Sequence, residues 1–325
     1  MSCTAVSGAA EPAAPVPKHI MRVIAIVGAT ATGKTALGEA VARVVGGEIV
    51  CVDSRQLFGE LELGTGKPTP AERRALPHHL FDLLSLGERA SAGHWARAAT
   101  ALCHAIDARG RTPVLVGGSG LYLQSLQHGI AAEPPHDPAL RASLTEEART
   151  LGVPALHLRL AGVDPETAAR LDPADIQRVT RALEVWLASG RPLSWWRRER
   201  PGVPLPATWN AIELTLDTAS LAERIAVRTR AMFERGLAEE VSGLVRAGQA
   251  DALRALHAVG YDEALAMIEG RMEGAAAQAE TNRRTRQLAK RQRTWFRHQI
   301  DAVRLDAALA LPELVEHTLA AGRPH

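Results

Sequence analysis

The feature that most constrains this sequence is a glycine-rich loop at residues 28–35, which has the spacing G-x-x-x-x-G-K-T. A short apolar, β-branched run at 22–27 precedes it, and a helical pattern follows from Lys34 to about Val45. In this strand-to-helix setting, backbone N–H groups converge on phosphate oxygens and the helix N-terminus adds positive potential. The predicted phosphate-binding residues are Gly28, Ala29, Thr30, Ala31, Thr32, Gly33, Lys34 and Thr35. We call this segment the phosphate loop.

Other apolar runs place the phosphate loop in a parallel sheet. Residues 48–52 and 113–116 have strand character, and they end at Asp53 and at the glycine-rich segment 117–120. Strand, helix and strand at this spacing predict an α/β fold: a P-loop parallel sheet flanked by helices, with ligands at the carboxyl ends of the strands. We expect 209–216 to return to the sheet, followed by long helices to the C-terminus.

Length and composition predict more than one domain. A chain of 325 residues that is 46% hydrophobic can bury more than one core. Residues 1–18 are rich in alanine and proline and are predicted to be a disordered leader. Residues 19–128 and 207–325 are predicted to form the catalytic core, and 129–206, bounded by prolines, an inserted all-α domain.

Composition also argues against several classes of protein. No apolar run approaches the roughly 18 residues of a membrane helix, so we expect no membrane association and a cytoplasmic location. The three cysteines form no C-x-x-C pair, which argues against a disulfide framework or a zinc site. The pair His78 and His79 has no third ligand at metal-site spacing, so hydrogen-bonded histidines are the better interpretation. A net charge of +2 identifies no partner.

A candidate proton acceptor follows the second predicted strand. A nucleotide-hydrolysing protein of this type would carry an apolar strand that ends in an aspartate, whereas 114–116 ends in glycine. The acid at a strand end is instead Asp53, which could take a proton from an acceptor that faces the bound phosphates. The alternative is that Asp53 only caps a turn.

Basic residues are patterned on two predicted helices. Arg224 and Arg228 share a helical stripe with Leu221 and Ile225, so they need an anion, which is either a protein carboxylate or a bound phosphate. A second helix carries a band about 20 Å long with no acid in it. This basic stripe consists of Arg283, Arg286, Lys290, Arg293 and Arg297. RNA contact is favoured over a merely solvated face.

Five further motifs occur in a fixed order after the phosphate loop. They are GTGKP at 64–68, HHLFD at 78–82, GGSGLY at 117–122, RALEV at 181–185 and TRQLAKRQ at 285–292. With these motifs the sequence resembles the tRNA dimethylallyltransferases from about residue 23 to 297. The resemblance implies transfer of a dimethylallyl group from dimethylallyl diphosphate to the exocyclic amine of the adenine 3′-adjacent to certain tRNA anticodons, with Mg²⁺.

The resemblance also implies roles for particular residues. Asp53 is the expected general base, and Thr30, Lys34, Thr35 and Arg224 are expected to hold the pyrophosphate. Apart from the resemblance, the hydroxyl that ends a phosphate loop can ligate magnesium, so Thr35 is also the expected metal ligand. The expected tRNA contacts are Asp53, Ser54, Arg55, Gln56, Ser119, Arg141, Gln177, Arg178, Val179, Thr180 and Arg181, to which the basic stripe adds Arg286, Lys290 and Arg293. The partner is then a tRNA anticodon stem-loop, and we expect a monomer.

Three other functions fit parts of the sequence. A P-loop small-molecule kinase that binds ATP would use the phosphate loop and Asp53 but would leave the basic stripe and the helical insertion unused. An adenylate isopentenyltransferase would act on free nucleotides and has no need for those two features either. A non-catalytic RNA-binding module would not need both Lys34 and Asp53.

Overall fold

The computed structural model describes residues 20–322, so the predicted leader at 1–18 lies outside the described residues. Six parallel strands form one sheet in the order β3-β2-β4-β1-β5-β6. The strands are β1 (Met21–Gly28), β2 (Glu48–Cys51), β3 (His78–His79), β4 (Pro113–Gly117), β5 (Ala207–Thr215) and β6 (Val303–Asp306). The predicted α/β fold with a parallel sheet is confirmed.

The described residues also contain fifteen helices. They are α1 (Lys34–Val45), α2 (Pro70–Ala75), α3 (Ala92–Ala108), α4 (Gly120–His128), α5 (Pro138–Leu151), α6 (Val153–Val163), α7 (Pro165–Ala168), α8 (Ile176–Ser189), α9 (Leu193–Glu199), α10 (Thr218–Glu234), α11 (Leu237–Arg246), α12 (Ala250–Leu256), α13 (Tyr261–Ile268), α14 (Gly274–Gln299) and α15 (Leu311–Ala321). None of the helices in residues 20–322 combines the length and apolar character needed to cross a membrane.

Strand β1 is apolar from Val23 to Val27 because both of its faces are covered there, whereas Arg22 near its start is exposed. Val23 and Ala25 pack in one core with residues of α3, α4 and α14. Ile24 and Ile26 pack in the other with residues of α1, α10 and α15. Successive side chains of a strand point to opposite faces, so both sets of side chains are buried when helices cover the two faces. The central position of β1 puts the phosphate loop in the middle of the carboxyl edge.

The expectation of helices alone after residue 216 was wrong. Strand β6 pairs with β5, from Ile212 opposite Val303 to Thr215 opposite Asp306. Three of its four side chains are exposed, so it lacks the apolar run that signals a buried strand. Its pairing depends on the adjacent strand, where Glu213 accepts a hydrogen bond from Arg304 at 2.9 Å.

Helices α5 to α9 have a hydrophobic core of their own, which includes Leu144, Leu160 and Leu183. They lie between the end of α4 at His128 and the start of β5 at Ala207. The domain boundaries given above stay a prediction. At the base of this group, the buried carboxylate of Glu184 accepts a hydrogen bond from the backbone N–H of Asp137 at 2.7 Å.

Candidate active site

The phosphate loop depends on glycine at two positions. Gly28 has φ of 139°, and a Cβ there would lie 2.4 Å from the carbonyl oxygen of Leu214 in β5. Gly33, which precedes α1, has φ of 93° in the left-handed region that L side chains disfavour. The Nζ of Lys34 donates to the carbonyl oxygen of Ala29 at 2.6 Å, which ties the lysine across the turn.

Lys34 is held under the loop, where burial changes its acidity. Desolvation lowers the pKa of Lys34 to about 8; the nearby carboxylate of Asp53 raises that pKa and the guanidinium of Arg228 lowers it further. A bound anion would stabilise the charged ammonium. The three groups are therefore close enough for each charge to affect the others.

Asp53 is fixed at the end of β2 by two links. Its Oδ1 accepts a hydrogen bond from the backbone N–H of Arg55 at 2.9 Å, so the turn cap suggested by the sequence is present. The backbone N–H of Ser54 donates to Ser119 Oγ at 3.0 Å, which joins this turn to the segment 117–120. The other carboxylate oxygen of Asp53, Oδ2, accepts no hydrogen bond from residues 20–322 and is available to a substrate.

One cavity of about 670 Å³ connects these groups. The predicted site residues that line it are Thr30, Ala31, Gly33, Lys34, Thr35, Asp53, Ser54, Arg55, Gln56, Ser119 and Arg224. The side chains of Ala29 and Thr32 are buried behind the loop instead. Such a volume is typical of a small-molecule site.

Arg228, for which the sequence left a carboxylate partner or a bound phosphate open, also lines this cavity. Its Nη1 donates to Thr30 Oγ1 at 3.3 Å and its Nη2 to the carbonyl oxygen of Thr65 at 3.1 Å. Burial lowers the pKa of Arg228, and the Asp53 carboxylate opposes that shift. The shared helical stripe was the available signal, but it could not separate this residue from Arg224.

Arg224 lies at the outer edge of the phosphate loop. Its Nη2 donates to the carbonyl oxygen of Ala307 at 3.0 Å, and its Nη1 is 3.5 Å from the carbonyl oxygen of Thr32. Neither arginine has a carboxylate partner within hydrogen-bond distance among the described residues. Of the two sequence interpretations, a structural ion pair is therefore not present, and a bound anion fits.

The predicted tRNA contacts of the helical insertion lie away from this cavity. Gln177 and Arg178 are exposed, and Arg141 donates to Gln177 Oε1 at 3.2 Å. Arg141 and Arg181 also form ion pairs with Glu184, at 3.1 and 3.3 Å. Val179 and Thr180 differ, because both side chains are buried. A buried side chain cannot contact RNA, so we leave these two out of the proposed surface.

The basic stripe lies on α14, and part of it borders a second cavity, of about 460 Å³, between α10 and α14. Arg286 and Lys290 are exposed, and Arg293 donates to Thr218 Oγ1 at 3.0 Å. Among the residues that line this cavity, Arg286, Lys290, Arg293 and Arg297 are basic and none is acidic. Arg283 differs from the others because it is paired with Glu280.

The predicted magnesium ligand, Thr35, lines the main cavity beside Lys34. Among residues 20–322, no group of three or more His, Cys, Asp or Glu side chains could hold a metal ion. Mg²⁺ is usually held by phosphate oxygens and waters with only one or two protein ligands. A single hydroxyl beside a phosphate loop fits that manner of binding. The two histidines make separate contacts, and His79 lies 2.6 Å from Glu48 Oε2.

The parallel sheet, with a phosphate loop and a carboxylate in one cavity at its carboxyl edge, defines an α/β enzyme of the group-transfer class. Comparison with known proteins identifies the family within this class. The family described as IPP transferase matches residues 56–299, and the one described as isopentenyl transferase matches 21–88. The chain belongs to the IPP transferase family and is a transferase.

Individual relatives agree with the family assignment. The chain is 48% identical to a tRNA dimethylallyltransferase of Halorhodospira halophila, over 88% of this chain and 93% of the relative. It is 40% identical to a tRNA dimethylallyltransferase of Desulfovibrio desulfuricans, over 93% of each. A tRNA isopentenylpyrophosphate transferase structure from Bacillus halodurans has a TM-score of 0.67 at 32% identity, covering 93% of this chain and 96% of its own. A eukaryotic dimethylallyltransferase acting on tRNA, at 23% identity and a TM-score of 0.75, shares the fold over 94% of this chain and 80% of its own.

Proposed function

We propose that this protein transfers a dimethylallyl group from dimethylallyl diphosphate to the exocyclic amine of the adenine 3′-adjacent to the anticodon in tRNA. The observation that carries the proposal is the single cavity lined by Lys34, Arg228 and Asp53. The same cavity offers cations and loop N–H groups to a pyrophosphate and a carboxylate oxygen to an amine. The names of the curated relatives support the same reaction.

The reaction requires a nucleophile, a proton acceptor and a leaving group. An adenine inside a stacked loop is inaccessible, so the base must leave the stack to enter the cavity. The amine nitrogen attacks the allylic C1, the bond from C1 to the bridging oxygen breaks, and pyrophosphate leaves. Asp53 Oδ2 takes the proton that the amine loses. Because Oδ1 is held by Arg55 N–H, the accepting oxygen is already oriented before the substrate binds.

Charge develops on the bridging oxygen as pyrophosphate departs. Lys34 and Arg228 are the cations nearest the loop interior, and Arg224 adds a third at its rim. Donors that are already in place stabilise such charge without reorganisation. In this proposal Thr35 would hold Mg²⁺ together with the pyrophosphate oxygens. A magnesium ion there would supply additional positive charge to the leaving group.

The RNA would lie across two polar regions. The first contains Arg141, Gln177, Arg178 and Arg181 on the helical insertion, and the second contains Arg286, Lys290 and Arg293 on α14. Ser54, Arg55, Gln56 and Ser119 line the cavity itself and would contact the extruded base or its neighbours. Single-stranded loops are the usual targets of sequence-specific RNA recognition, because their bases can be splayed out.

Mass analysis of nucleosides tests the proposal directly. Transfer RNA is incubated with the protein, dimethylallyl diphosphate and Mg²⁺, then digested. The expected product is adenosine heavier by one dimethylallyl group, and it should be absent when another base replaces the adenine 3′-adjacent to the anticodon. An unmodified nucleoside pool would contradict the proposal. Competition between tRNA and AMP identifies the acceptor, and ATP consumption without prenyl transfer would instead indicate a kinase.

A further inference from the structure

Helix α14 contacts the active site through one side-chain amide. The Oε1 of Gln292 accepts a hydrogen bond from the backbone N–H of Thr30 at 2.9 Å, and its Nε2 donates to the carbonyl oxygen of Gly118 at 3.0 Å. One partner is a donor and the other an acceptor, so the orientation of the amide is determined by the contacts. A single side chain thus joins the phosphate loop to the segment 117–120.

The segment 117–120 is also connected to the proposed base, Asp53. Ser119, the residue after Gly118, holds the backbone N–H of Ser54, which is adjacent to Asp53. The amide of Gln292 therefore sits between the loop for the donor and the turn that carries the proton acceptor. Gln292 also lines the cavity that contains both.

The packing around this amide leaves little room for adjustment. A Cβ on Gly118 would lie 2.3 Å from Gln292 Nε2, and a Cβ on Gly120 would lie 2.1 Å from ring atoms of Trp295. Helix α14 is thus in direct contact with the segment 117–120, which explains why small residues are needed there. A shift of the helix would move the loop that it touches.

The opposite side of the same stretch of α14 carries the exposed Arg286 and Lys290. We propose that Gln292 is a positioning residue that couples RNA binding on α14 to donor binding in the phosphate loop. RNA bound to the basic stripe fixes the helix, the helix fixes the amide, and the amide fixes the Thr30 N–H. The conformational entropy lost in ordering the phosphate loop is then lost on RNA binding and not on donor binding. The inference rests on the proposed function, since it needs RNA on α14.

Coupling is measured by the affinity for inorganic pyrophosphate with and without a saturating tRNA anticodon stem-loop. In the parent protein we expect the RNA to tighten pyrophosphate binding about fivefold or more. In Gln292→Ala the factor should fall below about twofold, while the RNA affinity of the free protein and the melting temperature stay near those of the parent. Gln287→Ala, an exposed glutamine on the same helix, should keep the parent factor.

Two more variants distinguish a loss of coupling from a nonspecific structural effect of the substitution. Gln292→Glu keeps an oxygen for Thr30 N–H but turns a second oxygen toward the carbonyl of Gly118, so coupling should also be lost. Gly118→Ala displaces the amide without changing it and should behave as Gln292→Ala does. Coupling that is absent in the parent, or retained in Gln292→Ala, would overturn the inference. A parent protein that does not bind the stem-loop at all would instead refute the proposed function.

Discussion

The guanidinium of Arg228 donates a hydrogen bond to Thr30 Oγ1 at 3.3 Å, which places an arginine of α10 directly against the phosphate loop. Its second hydrogen bond reaches the carbonyl oxygen of Thr65, which also lines the cavity. Arg228 therefore joins two segments that line the proposed donor site. This position, together with the absence of a carboxylate partner in the described residues, makes it the strongest candidate for holding pyrophosphate.

Arg228→Gln should lower kcat/KM for the donor by about 10- to 100-fold, because hydrogen bonds to a charged group contribute roughly 1.5 to 3 kcal/mol. Arg224→Gln should lower kcat/KM for the donor by a smaller factor, since the Arg224 side chain lies at the outer edge of the phosphate loop. Steady-state kinetics with varied donor at saturating tRNA measures both. Arg230→Gln, on the exposed side of the same helix, serves as the control. Equal losses in the two variants would contradict the assignment of Arg228.

Pyrophosphate binding should weaken as the pH rises through about 8, the pKa of Lys34. Below that pH the ammonium is charged and attracts the anion. Above it, a proton must be taken up on binding, so affinity should fall by up to about tenfold per pH unit. Calorimetric titration from pH 7 to 9.5 measures this. Lys34→Ala should bind weakly and lack this component, while its tRNA affinity stays near normal. A Lys34→Ala profile parallel to that of the parent would remove Lys34 from donor binding.

Replacing the basic stripe should change the salt dependence of tRNA binding. If Arg286, Lys290 and Arg293 each contact a phosphate, each Gln replacement should reduce the slope of log K against log salt by about 0.7 to 0.9. Affinity for pyrophosphate alone should stay the same. Arg246→Gln, an exposed arginine on α11, is the matched control. A triple variant whose slope equals that of the parent would show that the stripe does not contact RNA.

Asp53→Asn should bind both substrates and turn over slowly. The amide oxygen can still accept the Arg55 N–H, so the turn is kept, but the side chain no longer takes a proton. General-base removal commonly costs about 100- to 10,000-fold in rate. Single-turnover transfer at saturating tRNA, with the melting temperature recorded in parallel, measures the effect. A variant that is destabilised by about 1 kcal/mol yet fully active would show that Asp53 is only a cap.

Sequence alone predicted the parts of this site that lie close together along the chain. The phosphate loop and the strands that precede it and Asp53 follow from glycine spacing and apolar runs. The exposed edge strand β6 carries no such run and was missed. Arg224 and Arg228 are one helical turn apart on one stripe, so only the packing of α10 could tell them apart. Val179 and Thr180 lie on the buried face of α8.

Contacts between distant parts of the chain were beyond prediction. The bond between Thr30 and Gln292 joins residues 262 positions apart. The donor is the backbone N–H of Thr30, and no sequence pattern around either residue indicates the other. The TRQLAKRQ motif indicated that residues 285–292 have a functional role. Periodicity alone assigned that helix to RNA contact and did not indicate a contact with the phosphate loop.

The central position of β1 has a consequence for how the protein is made. Its two neighbours are β4 and β5, and β5 begins only at Ala207, after the helical insertion has been translated. A nascent chain that has not yet reached β5 leaves one edge of β1 unpaired. Such late pairing slows folding and exposes aggregation-prone surface on the ribosome. Until β5 is made, the N-terminal half therefore exposes the backbone hydrogen-bonding groups along that edge of β1.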